Sequence, residues 1–306
     1  MEIKKTAHAG WQNNLQLIND KVELIISLDV GPRILSYKTS GGSNVLKNYT
    51  EQLGCCGESE WKIRGGHRLW IAPEHEVLSY LPDNEPVTHE LSPGGVKLVN
   101  EGVDPWKIRK ELTVTLSANS SEVILEHKAI NEGSEPVEIA TWGLTVMEPG
   151  GLEIIPLPPL GEHPRDLLPN KLMVIWPYTD LSDPRWRFGS QLITLRQTAD
   201  GVPAKLGLAH KEKWIAYLVN GSLFIKVIDY LEGAAYADGG CNFETFTNKE
   251  MIEVEALGPL RKLAAGESTS HTERWYLLGD VGQPHSLKEL ELLEWLKPLL
   301  ASVGLE

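Results

Sequence analysis

The sequence predicts an all-β protein built from large antiparallel sheets, with one amphipathic helix near its C-terminal end. Three observations lead to this fold class. Short runs rich in β-branched and aromatic residues recur along the 306 residues, and many of them alternate apolar and polar side chains. Turn segments containing Asn, Gly, Ser and Pro separate these runs, as hairpins require. Strand-like runs do not alternate with helical segments, which argues against a parallel α/β sheet.

The strand pattern is clearest in nine segments of the chain. Asn220-Gly221 lies between two hydrophobic runs and predicts a tight hairpin. Residues 148–190 are rich in proline, hold few strand-like runs and predict a long excursion made of loops. No internal repeat or linker divides the sequence, so we predict a single domain over residues 1–306. The nine predicted strand segments are 21–30, 95–100, 109–118, 121–131, 137–147, 191–197, 214–230, 250–257 and 272–279.

A helix is predicted at about 286–302, where apolar residues recur at helical period. Ser286 followed by Glu289 resembles a capping box and would begin the helix. Pro298 is expected to kink or shorten it, because proline lacks a backbone donor. The predicted buried stripe consists of Leu287, Leu290, Leu293, Leu296 and Leu300.

Composition narrows the classes of function. The net charge is −13 with no basic block, which argues against a nucleic-acid partner and against binding to anionic membranes. Three cysteines, two of them adjacent at Cys55 and Cys56, form no disulfide framework. No apolar leader-like segment and no apolar run of about 18 residues is visible. We therefore expect a cytoplasmic protein, a monomer or a homodimer, that acts on a small molecule.

Paired carboxylates occur in the predicted strand at 250–257. Glu253 and Glu255 project to the same face of a strand, while the residues between and before them project to the other. Two carboxylates on one face repel each other, and partial burial raises the pKa of at least one of them. Such a group can act as a general acid or base near neutral pH. The alternative is an edge strand that shows a solvated acidic face.

A second polar group lies at 236–248, around a double glycine that implies a backbone excursion. Asp238 precedes the glycines, and Asn242 and Glu244 follow them on one strand face. This pair could read the hydroxyl groups of a ligand. The alternative is a turn leading into a strand, with Asp and Asn as ordinary turn formers.

The stretch RGGHRLWIAPEHE, residues 64–76, combines another double glycine with groups suited to ligand binding. The sharp turn would deliver His67 and Arg68 next to Trp70, with Glu74 and His75 following. Arginine offers a fork of donors for oxygen-rich ligands, and histidine can transfer protons near neutral pH. The alternative is that the histidines are structural.

A metal site is a further alternative for the histidines. His67, His75 and His210 together with a glutamate could ligate zinc, but no recognised metal-binding spacing is present. The sequence also lacks a nucleophile elbow, a P-loop and a dinucleotide-binding fingerprint. We therefore predict neither a metal nor a cofactor.

Several of these pieces resemble an uncharacterised bacterial family allied to the aldose 1-epimerase (galactose mutarotase-like) superfamily. The resemblance covers most of the chain, and its most specific part is NFE-x-x-TN…E-x-E-x-LGPL…L-x-x-GES…H-x-E-x-W. It implies a β-supersandwich of large antiparallel sheets that binds a sugar on a concave face without a cofactor. The pieces are GPRILSY (31–37), GGHRLWIAPE (65–74), ATWGLTVMEPGG (140–151), GCNFETFTN (240–248) and EVEALGPLRKLAAGESTSHTERWYL (253–277).

The resemblance also implies roles for individual residues. Glu255 matches the general base, with Glu253 as the competing assignment, and His67 resembles the first active-site histidine, which would protonate the ring oxygen. Asp238 or Glu244 corresponds to the acid that binds sugar hydroxyls. The remaining contacts implied with the ligand are Arg33, Arg68, Asn242, His75 and a stacking tryptophan, Trp70 or Trp142.

The chain departs from the superfamily pattern in one respect. Mutarotases have a second active-site histidine, whereas the corresponding segment here, IATWGLT, contains Trp142 and Thr145 and no histidine. His75 and His210 are the candidates that could take its place in space. The function implied is interconversion of sugar anomers by Glu255 and His67. Two alternatives stay open: a non-catalytic sugar-binding protein, and a phosphosugar enzyme whose arginines, including Arg64, grip a phosphate.

Overall fold

Two large antiparallel sheets lie face to face and enclose most of the apolar core. The computed structural model of the protein describes residues 1–101, 105 and 107–305. One α-helix packs on the outer face of the second sheet. None of the helices in the described residues is long and apolar enough to cross a membrane.

Strands make up nearly all of the regular structure. In spatial order the first sheet is β1-β2-β3-β4-β5-β10-β19-β18-β15-β12, with β20 also paired to β10, and the second is β13-β14-β11-β16-β17-β21-β9-β8-β7-β6. The elements are β1 (Glu2–His8), β2 (Trp11–Ile18), β3 (Val22–Ser27), β4 (Arg33–Thr39), a 3-10 helix (Thr50–Gln52), β5 (His67–Ala72), a 3-10 helix (Leu78–Tyr80), β6 (Thr88–Ser92), β7 (Gly95–Asn100), β8 (Ile108–Leu116), β9 (Val123–Asn131), β10 (Val137–Met147), β11 (Leu152–Pro156), β12 (Met173–Ile175), β13 (Trp186–Phe188), β14 (Leu192–Arg196), β15 (Ala204–Leu208), β16 (Trp214–Val219), β17 (Ser222–Ile228), β18 (Phe243–Thr247), β19 (Ile252–Leu257), β20 (Arg261–Leu263), β21 (Ser268–Leu278) and α1 (Glu289–Ala301).

The burial pattern of the strands shows which faces are covered. In β8 and β9, buried and more exposed residues largely alternate, as expected when one face contacts the core and the other meets solvent. Strands β16, β17 and β19 are buried at every position. Helix α1 covers the outer faces of β16 and β17. The outer face of β19 faces the candidate site described below.

The predicted all-β class with a C-terminal helix is confirmed, and all nine predicted strand segments contain strands. The predicted hairpin joins β16 to β17, with positive φ angles at Asn220 (50°) and Gly221 (73°). The proline-rich excursion is irregular beyond β11, apart from two three-residue strands. Sequence reasoning missed several strands outside these segments, among them β1 and β2, which hold polar residues at many positions.

Helix α1 begins later than predicted, and the predicted capping box is wrong. The N-cap residue is Lys288, without a side-chain cap, and its backbone N–H donates to Ser286 Oγ at 3.1 Å. The Glu289 carboxylate instead accepts the backbone N–H groups of Gln191 and Leu192 at 2.7 and 2.8 Å. Glu289, the acidic residue of the predicted capping box, thus connects the helix to the loop before β14.

The buried stripe of α1 differs from the predicted one by a rotation of the helix. Leu296 and Leu300 are buried as predicted, but the third fully buried leucine is Leu292. Leu290 is 66% exposed, so its predicted burial is wrong. The spacing of the buried residues is i, i+4, i+8, which follows one face of a straight α-helix. The helix continues past Pro298 to Ala301.

Candidate functional site

A pocket of about 300 Å³ opens on the outer face of the first sheet, over five adjacent strands. The register across these strands places Arg68 opposite Leu144, Leu144 opposite Glu255, and Glu255 opposite Glu244. Residues paired in this way project to the same face of a sheet. The pocket is lined by Trp61, Ile63, Arg68, Trp70, Glu74, Tyr80, Trp142, Leu144, Tyr178, Lys205, Phe246, Asn248, Met251, Glu253 and Glu255.

The double glycine before β5 positions the strand that carries Arg68 and Trp70. Gly65 and Gly66 have φ angles of 88° and 70°, which favour glycine. A Cβ atom on Gly65 would lie 2.0 Å from the carbonyl oxygen of Lys47, and one on Gly66 would lie 2.1 Å from a carbonyl of β4. Only glycine therefore allows this close approach of the chain.

Aromatic rings form one wall of the pocket. Trp70 contacts Trp61, Tyr80 and Trp142, with ring centroids 5.3, 5.3 and 5.6 Å apart. Trp61 and Tyr80 also contact each other edge to face at 5.4 Å. Such a wall offers broad apolar faces together with N–H and O–H groups, a combination that suits sugar rings.

Lys205 supplies a buried positive charge that sequence reasoning missed. It is 4% exposed, and its Nζ lies 2.7 Å from Glu244 Oε2 and 3.1 Å from Glu255 Oε2. The same ammonium lies 4.7 and 4.8 Å from the ring centroids of Trp142 and Trp176. The two carboxylates raise the pKa of Lys205 against the effect of burial, so this side chain stays charged at neutral pH.

Glu255 lies at the base of the pocket with one carboxylate oxygen unused. Its Oε2 accepts hydrogen bonds from Trp142 Nε1 at 2.9 Å and from Lys205, while Oε1 is buried without a partner. Burial raises the pKa of Glu255, and Lys205 offsets part of this effect. Burial likewise holds the pKa of Glu244 well above its usual range. Glu255 is thus a buried acceptor beside an open pocket.

Glu253 shares this face with Glu255, as the alternation predicted. Its Oε1 lies 2.9 Å from Arg68 Nη1, and the Arg68 guanidinium also lies over the Trp70 ring at 4.6 Å. Glu253 and Glu255 are only 6% and 0% exposed. The alternative of a solvated acidic edge is therefore wrong, because β19 is a central strand of its sheet.

The structure does not bring His67 to this pocket. His67 is fully buried between the two sheets, with Nδ1 2.9 Å from Thr145 Oγ1 and Nε2 2.7 Å from His127 Nε2. Burial lowers its pKa to about 3, so the imidazole is neutral. Successive residues of a strand project to opposite faces, so His67 and Arg68 cannot both line the pocket. The predicted pairing of His67 with Glu255 is therefore not formed.

The buried histidines belong to an ion-pair network between the sheets. The atoms of His67, His127 and Glu273 that could bind a metal ion lie within 4.8 Å of one another, so the set resembles a metal site. However, Lys226 Nζ lies 2.9 Å from Glu273 Oε2 and already neutralises this carboxylate. The two imidazole nitrogens at 2.7 Å are also closer than the ~3.3 Å expected for two nitrogens on tetrahedral zinc. The geometry is that of a hydrogen-bonded network.

Two other predicted ligand contacts, His75 and Asn242, form hydrogen bonds with the backbone. The exposed His75 accepts the N–H groups of Val77 and Leu78 at its Nδ1, at 3.1 and 3.3 Å. Asn242 accepts the N–H of His210 at 2.6 Å and donates to its carbonyl at 3.0 Å. Within the described residues, the three histidines considered as a zinc set therefore form no cluster.

Arg33 and Arg64 are buried around the loop before β5 and do not line the pocket. Arg33 donates to two backbone carbonyls of this loop at 2.9 and 2.6 Å and to Asp83 at 2.6 Å. Arg64 is paired with Glu58 at 2.5 Å. Both arginines therefore shape the loop that delivers β5.

Asp238 lies at the edge of the cluster around Lys205, in the turn before β18. It has a positive φ of 51° and is followed by Gly239 and Gly240 at 77° and 110°, which confirms the predicted backbone excursion. Burial raises the pKa of Asp238, and Lys205 offsets part of that effect. Asp238 is thus near Glu244 but outside the pocket lining.

Comparisons with known proteins identify the fold. No protein-family model matches the sequence, and no curated protein matches it. Among solved structures, a galactose mutarotase-like protein from Lactobacillus casei superposes with a TM-score of 0.57 at 10% identity, over 87% of this chain and all of the other. A similar protein from Clostridium acetobutylicum gives 0.53 at 10%, over 91% and 99%. A TPR-domain containing protein from Parabacteroides distasonis gives 0.58 at 14%, over 90% and 49%. The chain therefore has the galactose mutarotase-like fold that its sequence motifs resemble.

Proposed function

We propose that the protein binds a carbohydrate in the pocket on the outer face of the first sheet. The observation that carries this proposal is the buried, unpartnered Oε1 of Glu255 at the base of an aromatic-walled pocket. A buried carboxylate oxygen without a donor is costly, and a ligand hydroxyl would satisfy it. The half-buried Trp61 and the exposed Tyr80 would cover the apolar face of the sugar ring, since Trp70 and Trp142 are only 6% and 2% exposed. A volume of about 300 Å³ suits a monosaccharide.

Ligand-observed NMR with a panel of aldoses tests this proposal, with tryptophan fluorescence as a second signal. Glu255→Gln should weaken binding at least about tenfold, because a hydrogen bond to a charged group contributes roughly 1.5–3 kcal/mol. Glu153→Gln is the matched control, since Glu153 is also a fully buried carboxylate but lies outside the pocket lining. Absence of binding across the panel, or equal loss in both variants, would overturn the proposal.

Anomer interconversion is the second candidate function. It is favoured by the raised pKa of the buried Glu255, because a carboxyl group with a raised pKa is a better general base. His67 lies on the other face of the sheet, and none of the described residues that line the pocket is a histidine. The proton for the ring oxygen would then come from a group other than His67, and the Lys205 ammonium beside Glu255 would stabilise negative charge on the sugar oxygens.

Two-dimensional exchange NMR separates the two candidates. Acceleration of α/β exchange above the buffer rate that is lost in Glu255→Gln and kept in His67→Gln supports catalysis from the pocket. Line broadening of one sugar without acceleration supports a binding protein. Loss of exchange in a folded His67→Gln variant would contradict the assignment of proton transfer to the pocket.

A further inference from the structure

We infer that the pocket selects sugars by charge: it takes an unphosphorylated sugar, binds a protonated amino sugar more tightly, and binds a phosphosugar least. This inference rests on the proposed carbohydrate binding and names the substrate class. It depends on the pairing of every cation that lines the pocket and on the surplus of carboxylates around them.

The two cations of the pocket already have partners. Lys205 contacts two carboxylates and two tryptophan rings, as described above. Its positive charge is therefore already neutralised by residues of the protein. Arg68 is ion-paired with Glu253 and lies over Trp70, and its Nε and Nη1 groups, which make no well-aligned hydrogen bond, are buried. A phosphate could reach either cation only by competing with a carboxylate that is already in place. Phosphate sites instead present free donors to the ligand.

The other arginines that a phosphosugar enzyme would use are also committed. Arg33 is paired with Asp83, and Arg64 with Glu58, and neither lines the pocket. The arginine grip that the sequence suggested as one alternative is therefore not assembled.

Carboxylates outnumber cations at this pocket. Glu74, Glu253 and Glu255 line it and Glu244 contacts Lys205, which makes four carboxylates against the two cations Arg68 and Lys205. Glu74 is exposed at the pocket, and its Oε1 accepts a hydrogen bond from the Tyr80 hydroxyl at 2.5 Å. The buried Oε1 of Glu255 has no donor. The ligand that complements this lining brings donors, either hydroxyl groups or an ammonium.

Electrostatics then orders the ligands. A phosphate adds negative charge among carboxylates, and like charges brought together at a desolvated site oppose binding strongly. An ammonium forms charge-assisted hydrogen bonds, which are about twice as strong as neutral ones.

A matched series at one ring position tests the inference: the parent aldose, its 6-amino-6-deoxy derivative and its 6-phosphate. Binding is measured by calorimetry at pH 7 and low salt for glucose and galactose. We expect the 6-phosphate to bind at least about tenfold more weakly than the parent, and the amine several-fold more tightly. Added salt should narrow the part of both differences that comes from the exposed Glu74, because salt screens exposed charges.

Glu74→Gln locates the effect. It keeps an acceptor for Tyr80 and removes one negative charge, so the preference for the amine should fall. Glu76→Gln is the control, since Glu76 is exposed nearby but does not line the pocket. A 6-phosphate that binds as tightly as its parent would overturn the inference and leave sugar binding intact. Absence of binding by all three forms would overturn both.

Discussion

Glu153 offers the sharpest test of the electrostatics inside the sandwich. This residue of β11 is fully buried between the sheets, and neither carboxylate oxygen has a well-aligned hydrogen-bond partner. Burial raises its pKa to about 8, and the nearby Thr245 hydroxyl offsets only part of that effect. The folded protein is therefore most stable when the Glu153 carboxyl group is protonated and neutral.

The sign of the pH effect follows from this shift. The folded-state pKa of about 8 lies above the ordinary value of 4.5, so the folded protein holds this proton more tightly than the unfolded chain. The contribution of Glu153 to stability is therefore full below pH 4.5 and is lost as the pH rises towards 8. At about 1.4 kcal/mol per pH unit, the loss at pH 7 is about 3 kcal/mol.

Glu153→Gln removes the titrating group and keeps its size. We expect the variant to be more stable than the native protein by about 3 kcal/mol at pH 7, and by less than about 1 kcal/mol at pH 5. Urea unfolding at pH 5, 6, 7 and 8 measures the difference. Glu126→Gln, an exposed position on β9, is the control and should show little change. A difference between Glu153→Gln and the native protein that does not grow with pH would refute this reasoning.

Three further perturbations test the network and the helix. Lys226→Met should destabilise the protein by about 3–5 kcal/mol, because it leaves the Glu273 carboxylate buried without its cation, and the Lys226→Met/Glu273→Gln double variant should recover much of the loss in urea unfolding. His67→Gln should reduce the loss of stability on acidification. The pKa of His67 is depressed to about 3, so protonation of this histidine in the unfolded chain destabilises the folded protein below about pH 6.5. Between pH 6 and 4, the fall in unfolding free energy should therefore be smaller in the variant by about 1.4 kcal/mol per pH unit. Leu296→Ala should lower the free energy of unfolding by about 2–5 kcal/mol, and Leu290→Ala by less than about 0.5 kcal/mol, as measured by thermal unfolding. Similar losses in the two variants would contradict the observed buried face of α1.

Local pattern located ten of the 21 strands in the described residues and one part of the site. Alternation of apolar and polar residues located strands in all nine predicted segments and placed Glu253 and Glu255 on a common face. These features depend on the two-residue period of a strand, which is a property of neighbouring residues. The N-terminal hairpin was missed because β1 and β2 hold polar residues at positions that this pattern needs to be apolar.

The same period could have corrected the interpretation of His67. His67 and Arg68 are adjacent, so a strand sends them to opposite faces, whereas the sequence interpretation treated both as delivered by a glycine loop. The structure shows that β5 begins at His67 itself. Which of the two faces became the pocket depended on packing, because the second sheet covers the face with His67 and leaves the face with Arg68 open.

Lys205 could not have been recognised as a site residue from the sequence. It lies about 50 residues from Glu255 and about 40 from Glu244 along the chain, and no local pattern distinguishes it from an exposed lysine of a strand. Only the order β19-β18-β15 in the first sheet brings the three side chains together. The sequence by itself determined the class of fold and the shared face of Glu253 and Glu255, because short-range periodicity encodes both. The tertiary structure decided which face is open and which distant charges meet there, because strand order and sheet packing depend on contacts across the whole chain.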